Sequence, residues 1–542
     1  MRRLWPALCC AALLVTALPG SVPAAASGTV GSAGAVPSAT PSAAEPRPLD
    51  HVIPAPASVR PGGAPYVLRE DARVLVPEGS PEVRALGQRL AGLLRPATGY
   101  ALPVTVAGRG KGRADGGIRL ALGGPRRLGA EGYRLDASPG GVVLSARTPA
   151  GLFYGVQTLR QLLPARVEAR TEQPGPWQVA GGRITDVPRY GYRGGMLDMA
   201  RHFLPVEQVK HYVDLLAMYK INKLHLHLSD DQGWRIAIDS WPRLAEYGGS
   251  TEVGGGEGGH YTKADYREIV RYAAERHLTV VPEIDMPGHT NAALASYAEL
   301  NCDGVAPPLY TGVEVGFSSL CVPLERTYDF VDDVVREIAA MTPGPYLHIG
   351  GDEAHSTSPE DFERFMVRAQ ESVATYGKTV VGWHQLVDAR PAEGAVAQFW
   401  GRSPHAPQVA EAARNGTRLI MSPANRAYLD MKYDKDTPLG LSWAGYVEAK
   451  QSYDWDPGAY IEGVPGEAVL GVEAPLWTET LQTDDELEFM AFPRLPGIAE
   501  LGWSPASTHD WGDYRTRLAE HGPRWERLGI DYWRSPEVPW NG

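Results

Sequence analysis

The chain has 542 residues, 43% of them hydrophobic and 21% charged, with a formal net charge of -12. That length predicts more than one domain, and the composition is ordinary for a folded globular protein. The negative balance, without any Lys/Arg-rich block, argues against nucleic acid and anionic membrane as partners and fits a neutral ligand.

Met1-Arg2-Arg3, an apolar run from Leu4 to Leu18 and small residues up to Ala26 predict a secretory signal peptide over residues 1–26. A membrane anchor is the weaker reading, because the run is short and ends in Pro19-Gly20. Arg2-Arg3 leaves the export route open between the general and twin-arginine pathways. Cys9 and Cys10 leave with the signal, so the mature chain keeps Cys302 and Cys321. In an exported protein these two are expected to form a disulfide, stabilising by roughly 3 kcal/mol. Residues 27–48, rich in Ala, Ser, Gly, Pro and Thr, read as a disordered linker.

Residues 49–188 read as a small α/β domain. Tyr133-Arg134-Leu135 and Gly141-Val142-Val143-Leu144 form a predicted hairpin across Ser138-Pro139-Gly140, and Leu152, Val156, Leu159 and Leu163 a helical stripe. No chemistry is evident there, so it reads as scaffold. Over residues 189–542 short apolar strands recur. They fall near Gly194–Met199, Lys223–Leu228, Leu278–Ile284, Tyr346–Ile349, Thr379–Trp383, Ala395–Trp400, Arg418–Met421 and Val469–Val472. Pro205 opens a helix with Val209, Val213 and Leu216 on one face, and Thr262 caps another with Tyr266, Ile269, Val270 and Ala273. Eight strands with helical connections predict a (β/α)8 TIM barrel, with reduced helices after strands five and six.

Barrel catalysis sits just past the C-terminal strand ends, and polar residues cluster there. They include Arg201 after the first strand, Asp230 after the second, and Asp285 and His289 after the third. Asp352-Glu353 follows the fourth behind Gly350-Gly351. Trp383, Trp400, Tyr428 with Asp430, and Trp477 with Glu479 follow the later strands. Neighbours on extended backbone point to opposite sides, so Asp352 and Glu353 are expected to do different jobs. Three Trp from three strands suit an aromatic box for a carbohydrate, in a chain with 14 Trp and only 9 Phe. The pair His225 and His227 raises a metal-dependent hydrolase as a rival, though both read better as satisfied barrel-interior residues.

At these residues the chain resembles the family 20 glycoside hydrolases, the β-N-acetylhexosaminidases, in their secreted bacterial form. The matching stretches are Gly350-Gly351-Asp352-Glu353, His225 to Arg235, and Pro282 to His289, with Gly132 to Leu135 and Gly155 to Leu159 in the smaller domain. The resemblance implies an exo-acting, retaining hydrolase of terminal β-linked N-acetylhexosamine, on an oligosaccharide or glycoconjugate, secreted and without a cofactor. It makes Glu353 the general acid/base and Asp352 the group that orients the 2-acetamido arm. Tyr428 would hydrogen-bond the acetamido oxygen, and Trp383, Trp400 and Trp477 would enclose its methyl. Arg201, Asp430 and Glu479 would hold ring hydroxyls, Trp443 would meet the sugar or its leaving group at the mouth, and Asp230, Asp285 and His289 would support the carboxylates. The substrate's acetamido oxygen would attack the anomeric carbon, as this family does without an enzyme nucleophile. A non-catalytic chitin-binding relative and an ordinary β-glucosidase are the remaining alternatives.

Overall fold

The computed structural model describes residues 45–107 and 114–540. The expected signal peptide, and the linker up to residue 44, lie outside the described residues. The linker's last residues are not free: Arg47 pairs with Glu520 at 2.6 Å and donates to the Gln161 carbonyl at 2.9 Å. Composition there hid one well-placed guanidinium.

The smaller domain is a seven-stranded mixed sheet. Its strands run in the order Ser58–Pro61, Gly182–Asp186, Tyr133–Ser138, Gly141–Ala146, Ile118–Leu122, Val74–Val76 and Val104–Val106. The expected hairpin is present, with Ser138 opposite Gly141 across Pro139-Gly140. Helix Pro149–Leu162 starts at a Thr148 cap and buries Leu152, Val156 and Leu159 against the sheet. Asp186 anchors this domain to the rest of the chain. It accepts from Tyr133 at 2.6 Å, Lys220 at 3.1 Å and Trp503 at 3.0 Å. Arg193, near the start of the first barrel strand, pairs with Glu131 at 2.7 Å. The small domain therefore holds the barrel from its N-terminal end, away from the strand ends that carry chemistry.

Eight parallel strands close the barrel: Tyr192–Asp198, Lys223–His227, Thr279–Glu283, Tyr346–His348, Thr379–Trp383, Val396–Phe399, Arg418–Met421 and Val469–Ala474. Each overlaps its expected position. The helix after strand one spans Val206–Met218, and the next long one, Lys263–Ala274, has a reciprocal capping box between Thr262 and Asp265. After strand five only a 3-10 turn, His384–Asp388, remains, and after strand six a helix of 8 residues, Pro407–Arg414. Among the described residues no helix is long and apolar enough to cross a membrane.

Barrel interiors are usually filled by branched apolar layers. Here Tyr192, Val281, Val381, Val396 and Ile420 make one such layer. Above it lies a polar layer of His225, Glu283, His348, Gln398 and Glu473, all fully buried. Gly194 makes room for it, since a Cβ there would lie 2.3 Å from a Glu473 carboxylate oxygen. Trp383, Tyr428 and Trp477, with Met196 and Met431, close the top.

Candidate active site

The strand ends converge on a cavity of about 310 Å³. Arg201, His289, Asp352, Glu353, Trp400, Tyr428, Asp430, Trp443, Trp477 and Glu479 face it. The sequence expected all of these at one site. Val313, Val315 and Leu441 also line it and were not foreseen. The two valines lie in the loop closed by the Cys302–Cys321 disulfide. The pairing marks the feet of that loop, but nothing in an irregular segment tells which side chains turn inward.

The chain leaves the fourth strand through Gly350 and Gly351, both with positive φ, and Glu353 itself has φ of 45°. A Cβ on Gly350 would sit 1.7 Å from Asp285 Oδ1, so glycine is needed there. This corrects the extended-backbone expectation: left-handed geometry lets both carboxylates approach one imidazole. His289 Nε2 lies 3.7 Å from Asp352 and 3.4 Å from Glu353. Held the other way, His289 Nδ1 is 3.1 Å from Asp230 Oδ1.

Asp230 is the junction of the site. Its Oδ2 lies 2.8 Å from Arg201 Nη2 and 2.9 Å from His227 Nε2. Burial disfavours its charge, but Arg201, His289 and His227 hold the carboxyl well below the usual range. His227 passes the contact inward to Glu283 at 2.5 Å. His225 bridges Glu283 at 3.0 Å and Glu473 at 2.8 Å. Burial opposes protonation of His225 and His227, yet the facing carboxylates raise both, His225 to about 9. The two histidines of the metal-hydrolase rival thus have their ring nitrogens on carboxylates. Glu473 and His348 were not foreseen as members of this network. An isolated carboxylate inside an apolar strand was the available signal.

Asp352 is 9% exposed and its Oδ1 has no hydrogen-bond partner among the described residues. Burial, with help from Glu353 and Glu283, pushes its carboxyl up to about 6, against His289 and a hydrogen bond from Asp285. The expectation that Asp352 stays ionised therefore holds in the free site only above that pH. Asp285 is raised well above the carboxylate range by burial and by Asp352. It accepts from the Gly351 amide at 3.1 Å.

The aromatic walls differ from expectation at one place. Trp400 and Trp477 line the cavity, whereas Trp383 is fully buried beneath it. Its ring is 5.8 Å from Trp477 and 5.0 Å from His348, and its Nε1 has no partner among the described residues. A strand-end position fixes height in the barrel but not whether the side chain reaches the cavity or packs behind its wall. Trp443, 43% exposed, stands at the mouth 5.9 Å from Trp400 and 5.8 Å from Tyr428. Arg201 stacks over Trp477 at 4.8 Å.

Tyr428 and Asp430 are set by Arg494, also unforeseen. This buried guanidinium donates to the carbonyls of Leu429, Met431, Val447 and Met490 at 2.5 to 2.9 Å. Five-donor planarity suits such clamping of a loop.

Residues 190–363 and 355–506 match the catalytic domain of glycosyl hydrolase family 20, and residues 50–187 match domain 2 of that family. A β-N-acetylhexosaminidase of Cellulomonas fimi is 43% identical over 492 residues, covering 91% of this chain and 97% of its own. The solved β-N-acetylhexosaminidase of Streptomyces coelicolor A3(2) is 69% identical, with a TM-score of 0.89 over 92% of this chain and 100% of its own. A Streptomyces plicatus β-hexosaminidase variant, solved with its product GlcNAc, is 68% identical at a TM-score of 0.89, over 92% of this chain and 99% of its own. With family models matching both the barrel and the smaller sheet domain, and relatives this similar over nearly the whole chain, the chain belongs to glycosyl hydrolase family 20.

Proposed function

We propose that the cavity takes one terminal, non-reducing β-linked N-acetylhexosamine unit and that the sugar's own acetamido oxygen displaces the leaving group. The chain is a glycosidase of the β-N-acetylhexosaminidase type. The observation that carries the mechanistic reading is the buried, unpartnered Oδ1 of Asp352, beside a cavity walled by Tyr428, Trp400 and Trp477. A lone buried acceptor is costly unless a donor arrives, and an acetamido N–H is such a donor.

In this reading Asp352 accepts that N–H and turns the carbonyl oxygen toward C1. Tyr428 donates to the same oxygen, and Trp400 and Trp477 flank the methyl, with Trp383 backing Trp477 from below. Glu353, the more exposed carboxyl, protonates the glycosidic oxygen and then deprotonates the water that opens the oxazolinium. Asp352 balances the positive charge that develops on the ring. His289, on Asp230, keeps both carboxyls in place. Arg201, Asp430 and Glu479 bind ring hydroxyls, and Trp443 meets the leaving group. Chitin fragments and other GlcNAc-ended glycans fit this cavity as substrates.

Comparing an aryl N-acetyl-β-glucosaminide with the aryl β-glucoside tests the reading. Turnover is expected only with the acetamido sugar, and equal turnover of both would overturn it. The chain is also proposed to be exported. The Cys302–Cys321 disulfide, of a kind that persists outside reducing compartments, supports this. Recovery of mature protein from culture medium, with its N-terminus near residue 27, is the check.

A further inference from the structure

Arg235 is fully buried and does not line the cavity. Each of its five N–H groups meets a different backbone carbonyl. Nε donates to Met199 at 3.0 Å, Nη1 to Gly249 and Gly259 at 3.1 Å, and Nη2 to Ala200 at 2.6 Å and Thr251 at 2.9 Å. Its own backbone is tied on both sides, to the Leu228 carbonyl and the Tyr261 amide, at 2.8 Å each. A Cβ on Gly233 would lie 2.1 Å from Nη2, so the glycine leaves room for the fork. Burial lowers the guanidinium only to about 10, against Glu252, Asp198 and Tyr261, and it stays a cation at neutral pH.

Those carbonyls belong to two segments, and both lead to Arg201. Met199 and Ala200 are the two residues that precede it after the first barrel strand. Gly249, Thr251 and Gly259 belong to a glycine-rich loop after the second. In that loop the Val253 amide donates to the Arg201 carbonyl at 2.9 Å, and Glu252 accepts from the Phe203 amide at 3.1 Å. The backbone of Arg201 is thus gripped before and after by segments that Arg235 ties together. The Arg201 side chain rests on Asp198 and Asp230, and its buried Nε has no partner among the described residues.

We propose that Arg235 is a positioning residue for Arg201: its five-donor fork fixes the two loops that set where the Arg201 guanidinium points into the cavity. The inference rests on the reading that Arg201 binds the sugar, and it adds a residue that touches no sugar itself. A planar fork suits this task because it reaches separate carbonyls in fixed directions, whereas an ammonium carries its donors on one atom. Contacts that hold the sugar alike before and during bond breaking act on KM more than on kcat. Loosening Arg201 should therefore weaken sugar binding with little change in the chemical step.

The test is a double-variant cycle in the full chain, read as KM and kcat on an aryl N-acetyl-β-glucosaminide and as the inhibition constant of GlcNAc. Arg235→Lys keeps the buried cation but not the fork. It is expected to raise KM and the inhibition constant about tenfold and to lower kcat by less than about threefold. Arg201→Lys alone is expected to weaken binding at least as much. In the Arg201→Lys background, Arg235→Lys should then add less than about twofold, because two residues acting through one contact are not additive. An additive loss there, or native KM in Arg235→Lys alone, overturns the positioning role. Native binding in Arg201→Lys overturns the sugar-binding reading of Arg201 instead. Val253→Pro tests the same grip without touching a buried charge. It deletes the amide bound to the Arg201 carbonyl, and the extended backbone of Glu252 accepts a following proline. A rise in KM of about threefold that vanishes in the Arg201→Lys background supports the grip, and a native KM overturns it.

Discussion

Replacing Asp352 by Asn is expected to slow the enzyme and stabilise it, and the two effects share one cause. Asp352 is 9% exposed, and its surroundings lift its carboxyl from 3.8 to about 6, chiefly through burial. Two pH units correspond to about 3 kcal/mol against the ionised form in the fold. Because the folded value lies above the unfolded one, this penalty is absent below about pH 4, grows across the interval, and is complete above about pH 6. Asparagine is nearly the same shape and never ionises. Thermal or urea melts at about pH 7.5 should therefore find Asp352→Asn more stable, by at most about 3 kcal/mol, and the gain should shrink to about 1 kcal/mol at about pH 4.5. Over the same range kcat should fall about a hundred- to a thousandfold, since the charge that steadies the intermediate is gone. The native enzyme should lose activity below about pH 6, to about one tenth of its plateau a unit lower. A variant that is less stable at about pH 7.5, or whose gain is the same at both pH values, would refute the reasoning.

Glu353→Gln should lose about a hundred- to ten-thousandfold on alkyl glycosides and far less on aryl glycosides with activated leaving groups; equal losses on both would remove its acid role. Asp230→Asn should raise KM and lower kcat together, because Arg201 and His289 both lean on that carboxylate, and should cost about 3 to 5 kcal/mol in melts by stranding buried cations. Replacing Cys302 and Cys321 by Ser opens a loop of sequence separation 19, which is expected to cost about 3 kcal/mol. It should raise KM for long substrates through Val313 and Val315 while leaving kcat on aryl substrates nearly intact. Arg494→Met should leave four carbonyls unserved and lower the melting temperature, with weaker GlcNAc binding through the displaced Tyr428–Asp430 segment.

Much of the fold could be read from local pattern. Short apolar runs such as Thr379–Trp383 and Arg418–Met421 kept their boundaries, because a buried parallel strand reads as an unbroken apolar stretch. Helix starts at Thr262 and Pro205 were equally legible from capping chemistry. The site was visible because strand ends in a barrel converge by construction. What stayed hidden depends on depth and on loops. Trp383 is fully buried, with its ring 5.8 Å from that of Trp477, and does not line the cavity. Val313, Val315 and Leu441 come from segments without periodicity. Glu353 escaped the extended-backbone rule because two glycines ahead of it turn the chain. Arg494 lies on helix Arg494–Trp503, and its reach to carbonyls around Leu429 is a tertiary fact.

The imidazole–carboxylate layer inside the barrel constrains anyone who would redesign this scaffold. Its members cannot be exchanged one after another, because each intermediate would strand an ion where no water reaches. A hydrophobic replacement has to change His225, Glu283, Glu473 and their partners in a single move, and evolution faces the same gap between viable sequences.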